Sequence, residues 1–383
     1  MKFNKWTLGL AAIGAVSLTS AARADEAKLT ALNTSLSNTT ISGYVDVAAQ
    51  YNMGNQQAGA TVPLGTSANK INSFSLNTVA ITLDKPEDES PWASGYHVDL
   101  NFGQDSINQV AGSVGIRQAY VVVRTPVGNG IDWKFGVQDD IIGYEGNTDG
   151  ANPNYTRSVG YAIEPTTLTG LIGTYKISDS VAVTAGLANE TFFSTAPITG
   201  TDLYSRKAIA TAAALTAPDS WGFLKGATLN VGALLNLENN GQNNYFAGVV
   251  VPTPLSKLKL GGAFDLVSEA NGSGAAPTGA GAPQNDSGWV AGVYGNYAAT
   301  DKLSLNLRGE YYDLTGTYGS AAGALSYGNG KGEELTATVA YNLWANVISR
   351  AEFRWDHMDS GTGFADGNSA NSFIAAVNLI YTF

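Results

Sequence analysis

No cysteine occurs among the 383 residues. That absence removes disulfides, thiolate nucleophiles and cysteine-ligated metals together. Histidine is nearly missing, with two in the chain, so chemistry needing a positioned imidazole base has little to draw on. Only 14% of residues are charged, and the balance is acidic: 21 Lys+Arg against 32 Asp+Glu, a net charge of −11. No basic stripe is present to displace counterions from phosphates, which argues against nucleic acid as a partner. Beyond the N-terminus there is no apolar run of about 18 residues, so a bundle of membrane-crossing helices is excluded. Proline is sparse, whereas Gly (45) and Tyr (18) are plentiful. Low charge with many Gly and Tyr suits a wall wetted by lipid on one face and by water on the other.

The N-terminus sets the compartment. Lys2 and Lys5 form a positive region, 6–18 is apolar and rich in small residues, and Ala22-Arg23-Ala24 supplies an A-x-A cleavage pattern before Asp25. Residues 1–24 are therefore expected to be a signal peptide cleaved after Ala24, followed by a short periplasmic segment over 25–40 and one domain over 41–383. Cleavage removes Lys2, Lys5 and Arg23 and no acid. The mature balance is then 18 basic to 32 acidic residues, or −14.

Past residue 40 the chain alternates apolar and polar with period two, in stretches of about ten residues. From Trp92 the apolar set is Trp92, Tyr96, Val98, Leu100 and Phe102, opposite Gly95, His97, Asp99 and Asn101. From Ile131 it is Ile131, Trp133, Phe135 and Val137, opposite Asp132, Lys134 and Gln138. From Leu303 it is Leu303, Leu305, Leu307 and Tyr311, opposite Asn306, Arg308 and Glu310. From Val347 it is Ala351, Phe353 and Trp355, opposite Arg350, Glu352, Arg354 and Asp356. A soluble sandwich also alternates; the second face decides. Four charged residues on one face of one strand suit a water-filled interior, while the other face is as apolar as lipid requires. In hydrocarbon every backbone N–H and C=O must be paired, so such strands must close on themselves. The fold class expected is all-β, a transmembrane antiparallel β-barrel of about 16 strands, whose even count puts both termini on one side. Strands are expected near 41–51, 71–84, 92–103, 113–125, 131–139, 166–177, 181–191 and 205–217. They continue near 227–237, 245–251, 258–267, 288–298, 303–313, 333–343, 347–357 and 371–383.

Connections alternate between tight turns, as at 178–180, 299–301 and 344–346, and long polar loops at 52–70, 140–165, 268–287, 314–332 and 358–370. Short turns face the periplasm in such barrels and long loops face outside. Trp92, Trp133, Tyr297, Tyr341 and Tyr381 then fall at periplasmic ends, and Tyr51, Phe102, Trp289 and Phe373 at outer ends, where aromatic girdles belong. The last stretch has an unbroken outward face of Phe373, Ala375, Val377, Leu379, Tyr381 and Phe383. A terminal strand ending on Tyr381 and Phe383 resembles the assembly signal read by the barrel-insertion machinery.

The stretch 128–177, GNGIDWKFGVQDDIIGYEGNTDGANPNYTRSVGYAIEPTTLTGLIGTYKI, resembles the core signature of the OmpL-like outer-membrane β-barrel porins. ISGYVDVAAQYN, LDKPEDESPWASGYHVDL and IRQAYVVVRTPVGNG in the first half resemble that family too. One departure stands at Leu168, where a His is expected in the EPTTxTG stretch. In general porins the third loop folds into the lumen and narrows it. By that likeness, Asp139, Asp140, Glu145, Asp149 and Glu164 would present carboxylates at a pore constriction. Lumen-facing Arg117, Arg206, Arg308, Arg350 and Arg354 would oppose them as a basic wall. Acids facing bases across a narrow pore set up a transverse field that orients water and dipolar solutes. On the plainer reading these charges pair with one another in a wet lumen. The charge of −14 favours cations, and arginines at the narrowest point would oppose that preference.

Function follows from this architecture: an outer-membrane porin of a diderm bacterium, passing small hydrophilic solutes and ions by diffusion. No catalytic, cofactor-binding or metal-binding residue is expected, and no cofactor. The partners expected are outer-membrane lipid, the barrel-insertion machinery and the solutes themselves, with a homotrimer by analogy only. A barrel enzyme is disfavoured because His97 falls in the lumen and His357 shares parity with lipid-facing Phe353 and Trp355. The alternative is a structural or adhesin barrel binding a partner through its outer loops. A plugged lumen would require bulky or fully paired interior side chains, whereas Gly95, Gly136, Gly232, Gly261 and Ala340 are small.

Overall fold

The computed structural model describes residues 38–53, 63, 65–67, 70–88, 90–106, 115–189, 207–237, 242–269, 287–315, 330–361, 363–364 and 369–383. The expected signal peptide and most of the segment 25–40 lie outside these residues. Alternation produces the expected strands in the expected order. They are β1 (Thr40–Met53), β2 (Ser73–Lys85), β3 (Ser94–Phe102), β4 (Gly115–Thr125), β5 (Ile131–Asp139), β6 (Thr167–Lys176), β7 (Val181–Ala188) and β8 (Ala208–Thr216). The second half adds β9 (Thr228–Asn236), β10 (Gln242–Pro252), β11 (Leu258–Glu269), β12 (Ser287–Ala298), β13 (Leu303–Thr315), β14 (Gly330–Trp344), β15 (Val347–Ser360) and β16 (Asn371–Thr382). Each strand pairs with its sequence neighbours, and β1 pairs antiparallel with β16, so the sheet is a closed 16-strand barrel without a free edge.

The faces sort as the pattern requires. On β12, Val293 is 68% exposed and the next residue, Tyr294, is 4% exposed. Outward-facing Phe135, Leu307, Phe353 and Val377 are exposed, whereas Arg308, Arg354 and Asn378 point inward and are buried. Exposed apolar surface of this extent would be an aggregation hazard in water and is what lipid tails cover. Exposed Trp92, Tyr297, Tyr341 and Trp344 collect at one end. So do Trp221 and Phe223, which sit on a 3-10 segment (Asp219–Leu224) in the turn after β8 that alternation did not reveal.

Two bulges re-aim interior side chains, a common use of such irregularities. The pairing slips between Asp99 and Leu100 against β4, which leaves Arg117 as the extra residue and turns it and Gln118 both inward. A second slip between Asp46 and Val47 does the same for Asn77 of β2, which donates to Asp46 at 3.1 Å.

The chain end completes the ring. Phe383 N–H donates to the Gly43 carbonyl and Gly43 N–H to the Phe383 carbonyl, both at 3.0 Å. A Cβ at Gly43 would lie 2.7 Å from Phe383 Cζ, so the ring lies across β1 only because glycine is there. Phe383→Ala is expected to lower severalfold the amount of folded barrel recovered from outer membranes. Undiminished recovery would remove Phe383 from assembly.

Candidate functional site: the segment inside the barrel

After Asp139 the chain turns into the barrel, and 140–166 runs through the lumen before β6 begins. Two sets of contacts hold it. On the β6–β12 side they are apolar: Ile141, Ile142 and Tyr144 pack with Leu168, Ile172, Ala210, Leu234, Phe246, Val250, Ala263 and Tyr294. The Tyr144 and Tyr294 rings stack with centroids 3.8 Å apart. The small interior residues have a purpose here. A Cβ at Gly232 would sit 2.6 Å from Ile142 Cγ2, and one at Gly261 would collide with the Tyr144 hydroxyl. These two positions are sockets for the inserted segment, which corrects the expectation that small residues there mean an unfilled lumen. Leu168, where the family pattern suggests His, is 2% exposed in the same cluster, and an apolar side chain is what that place accepts.

On the β13–β16 side apolar contacts continue, Val159 and Ile163 with Tyr312, Leu314 and Met358 and Tyr155 with Ile374 and Ala376, and charged side chains of the wall are added that grip backbone. Carboxylates hold successive amides of the segment. Glu352 accepts from Tyr155 N–H (2.5 Å) and Thr156 N–H (2.9 Å), and Glu310 from Val159 N–H (2.6 Å) and Gly160 N–H (3.1 Å). Glu145, within the segment, accepts from Ser158 N–H at 2.7 Å. Guanidiniums hold the carbonyls. Arg350 donates to the carbonyls of Asp149, Asn152 and Asn154 at 2.8–3.1 Å, and Arg354 to that of Arg157 at 2.7 Å. Arg308 donates to the Thr156 carbonyl (2.8 Å), to Glu145 (2.7 Å) and twice to Glu334 (3.1 Å). An irregular segment surrounded by wall has no ladder partner for its N–H and C=O groups, and buried backbone must find one. The strand charges supply it. Ordered this way, the segment forms a 3-10 turn (Asp149–Ala151) and a short helix, α1 (Val159–Ile163). Ser158 Oγ caps α1 by accepting from Tyr161 N–H at 2.9 Å.

The expected site residues therefore meet, in a particular manner. Arg117 chelates Asp139 with two bonds (3.0 and 2.5 Å) and reaches Thr148 of the segment at 2.9 Å. Arg308 and Glu145 pair with neither exposed, and Arg354 pairs with Asp356 at 2.6 Å in the same condition. None of Arg308, Arg350 or Arg354 offers an exposed guanidinium to a lumen. Arg206 lies outside the described residues. Asp149 is bridged by Arg157 at 2.7 Å; burial alone would raise its pKa, and the cations Arg157, Lys70 and Arg350 outweigh that and hold it below the usual range. Asp140 and Glu164, at the two ends of the segment, lack such partners. Burial first, then Asp139 beside Asp140 and Asp265 beside Glu164, push both well above the carboxylate range. Glu164 and Asp265 of β11 are hydrogen-bond neighbours. Sequence reasoning overlooked Glu310, Glu334 and Glu352 as holders of the segment. The alternation Arg350, Glu352, Arg354, Asp356 was their signal, read as a wet wall.

His97 and His357 stay apart, as expected from parity. His97 on β3 lies 2.9 Å from Asp84 and 3.1 Å from Asp99, while His357 on β15 meets Asn371 at 2.9 Å near the outer rim. Among the described residues no cluster of His, Cys, Asp or Glu is arranged to hold a metal ion.

Comparison with solved structures returns outer-membrane barrels. The outer-membrane channel DcaP of Acinetobacter baumannii aligns with a TM-score of 0.59 at 14% identity, covering 90% of this chain and 97% of that one. The anion-selective porin from Comamonas acidovorans aligns at 0.57 and 13%, covering 90% and 99%. OmpT of Vibrio cholerae in its trimer form aligns at 0.57 and 14%, covering 90% and 99%. At these identities the likeness is one of fold. A comparison with curated proteins finds no match. The family described as "Putative beta-barrel porin-2, OmpL-like" matches residues 38–383, from just before β1 to the chain end. On that match and a closed barrel with an apolar exterior, the chain belongs to the OmpL-like β-barrel porin family, whose place is the outer membrane.

Proposed function

We propose that the protein is a diffusion porin: small hydrophilic solutes and ions cross the outer membrane down their gradients, with no covalent step, past the inserted segment. The observation that carries this is the segment itself, held inside a polar-lined barrel by wall side chains. A constriction is built where it meets the wall, with Asp139, Asp140 and Glu145 of the chain's turn inward and Arg117, Arg308, Arg350 and Arg354 of the strands. In this reading the arginines shape the passage by fixing the segment, and Arg117 with Asp139 sits at its rim. We propose further that residues 1–24 are removed on export, which N-terminal sequencing beginning at Asp25 would support. The terminal Tyr381 and Phe383 would be recognised by the insertion machinery. A homotrimer is in keeping with the trimer form of the Vibrio cholerae protein. A second reading has an observation of its own: Arg308 and Arg354 are fully paired and wholly buried, the interior a plugged structural or adhesin barrel would need. Recording purified mature protein in planar bilayers separates the two. Stepwise conductance is expected; folded barrels that never conduct would favour the plugged reading.

A further inference from the structure

The inward-facing cations on the strands divide into two groups. Arg117, Arg124, Arg308, Arg350 and Arg354 are bound by carboxylates or loop carbonyls. Two amines are not. Lys134 of β5 shares the inward face with Asp132 and Gly136, since Phe135 beside it faces out and is 68% exposed. Its Nζ lies over the Tyr120 ring, 4.7 Å from the centroid, and among the described residues no carboxylate forms an ion pair with it. The acids that act on it from a distance, Asp84 and Asp139, are engaged by His97 (2.9 Å) and Arg117 (2.5 Å). Lys259 of β11 alternates with exposed Leu260, which puts it on the inward face. Its neighbours across the sheet are Pro252 and Asn296, neither charged. Both lysines keep partial exposure, as Arg124 does, unlike the buried Arg117, Arg308, Arg350 and Arg354.

Their placement matters. Each lies within the first four residues of a strand rising from the periplasmic end, and β5 and β11 are six strands apart in a ring of sixteen, on facing walls. An ammonium resting on an aromatic face keeps most of its field available to a passing ion, because the ring's quadrupole does not cancel a full charge. At about 0.1 M salt that field reaches about 10 Å.

We infer that Lys134 and Lys259 are the selectivity-determining cations of the lumen, drawing small anions, carboxylates among them, into a passage whose overall charge favours cations. This rests on the porin reading above. It relocates the positive side of the selectivity from the arginines, which are spent on the inserted segment, to two lysines below it.

The test uses the mature chain in planar bilayers across a KCl gradient, with β-sheet circular dichroism confirming that each variant is folded. Lys134→Glu and Lys259→Glu are each expected to lower the chloride-to-potassium permeability ratio by about twofold, and the double variant by more. The effect should shrink at about 1 M salt, where the screening length falls to about 3 Å. Lys134→Arg and Lys259→Arg, which keep the charge, should behave as the parent. Reversal potentials unchanged in the double Glu variant would overturn the assignment while leaving the porin reading intact. Folded parent protein that never conducts would overturn the porin reading, and this inference with it.

Discussion

Arg308→Ala is expected to free the inserted segment and raise single-channel conductance. The side chain is wholly buried, and its guanidinium joins Glu145 of the segment, Glu334 of β14 and the Thr156 carbonyl. Removing it leaves Glu145 without its cation, takes Arg308 from Glu310 (3.9 Å away) and leaves Glu334 with Arg354 alone, at 3.8 Å. Breaking one side of a buried ion pair typically costs about 3–5 kcal/mol, because the remaining charge is stranded. The barrel's ladder does not pass through Arg308's side chain, so the strands should survive and the segment should yield. Limited proteolysis should then cut within 140–166, and the current should become larger and noisier. Adding Glu145→Gln to Arg308→Ala should restore much of the parental behaviour, since the carboxylate left without its cation is then neutral. Parental conductance and protease resistance in the single variant would show that the segment is held elsewhere.

The second large effect is a pH dependence. Asp140 and Glu164 stand at the entrance and exit of the segment, and burial raises both well above the carboxylate range, helped by Asp139 at the first and Asp265 at the second. The charged groups facing Glu164 are Asp265 of β11, Asp140 and Glu145, all acids. A packed group whose pKa is raised is stabilised in its protonated form. Its contribution is fully present below the pKa of the freed carboxyl, near about 4.3 for Glu, and is lost as pH rises through the raised value. The segment should therefore loosen on the alkaline side. Protease cleavage within 140–166 and current noise should both increase as pH is taken from about 5 to about 9. Glu164→Gln, which holds a neutral group at every pH, should flatten that rise. An identical pH profile in the variant would place the titration in another group.

Much of the barrel was legible because its cause is local. Period-two alternation is written residue by residue, and a lipid exterior forbids free edges, so order, pairing and closure follow from pattern plus solvent. The strand at 245–251, weakly marked by alternation, extends to Gln242–Pro252 because its neighbours β9 and β11 pair along it. The site was legible in part. Arg308, Arg350 and Arg354 stand out as inward charges in any reading of parity, whereas Arg117 shares parity with outward Val121 and Val123 and is turned inward by the bulge. What they touch does not, since Arg308 and Glu145 are 163 positions apart in the chain and meet only when the segment enters the barrel.

The sequence by itself determined the two-faced strands and their number, because both depend on solvent preference repeated at fixed spacing. The tertiary structure alone decided that the inward charges grip a backbone in place of facing open water. It also decided that Gly232 and Gly261 are sockets. A charge's role depends on which partner reaches it first, and inside a closed wall that is settled by the path of a segment whose own residues carry no period.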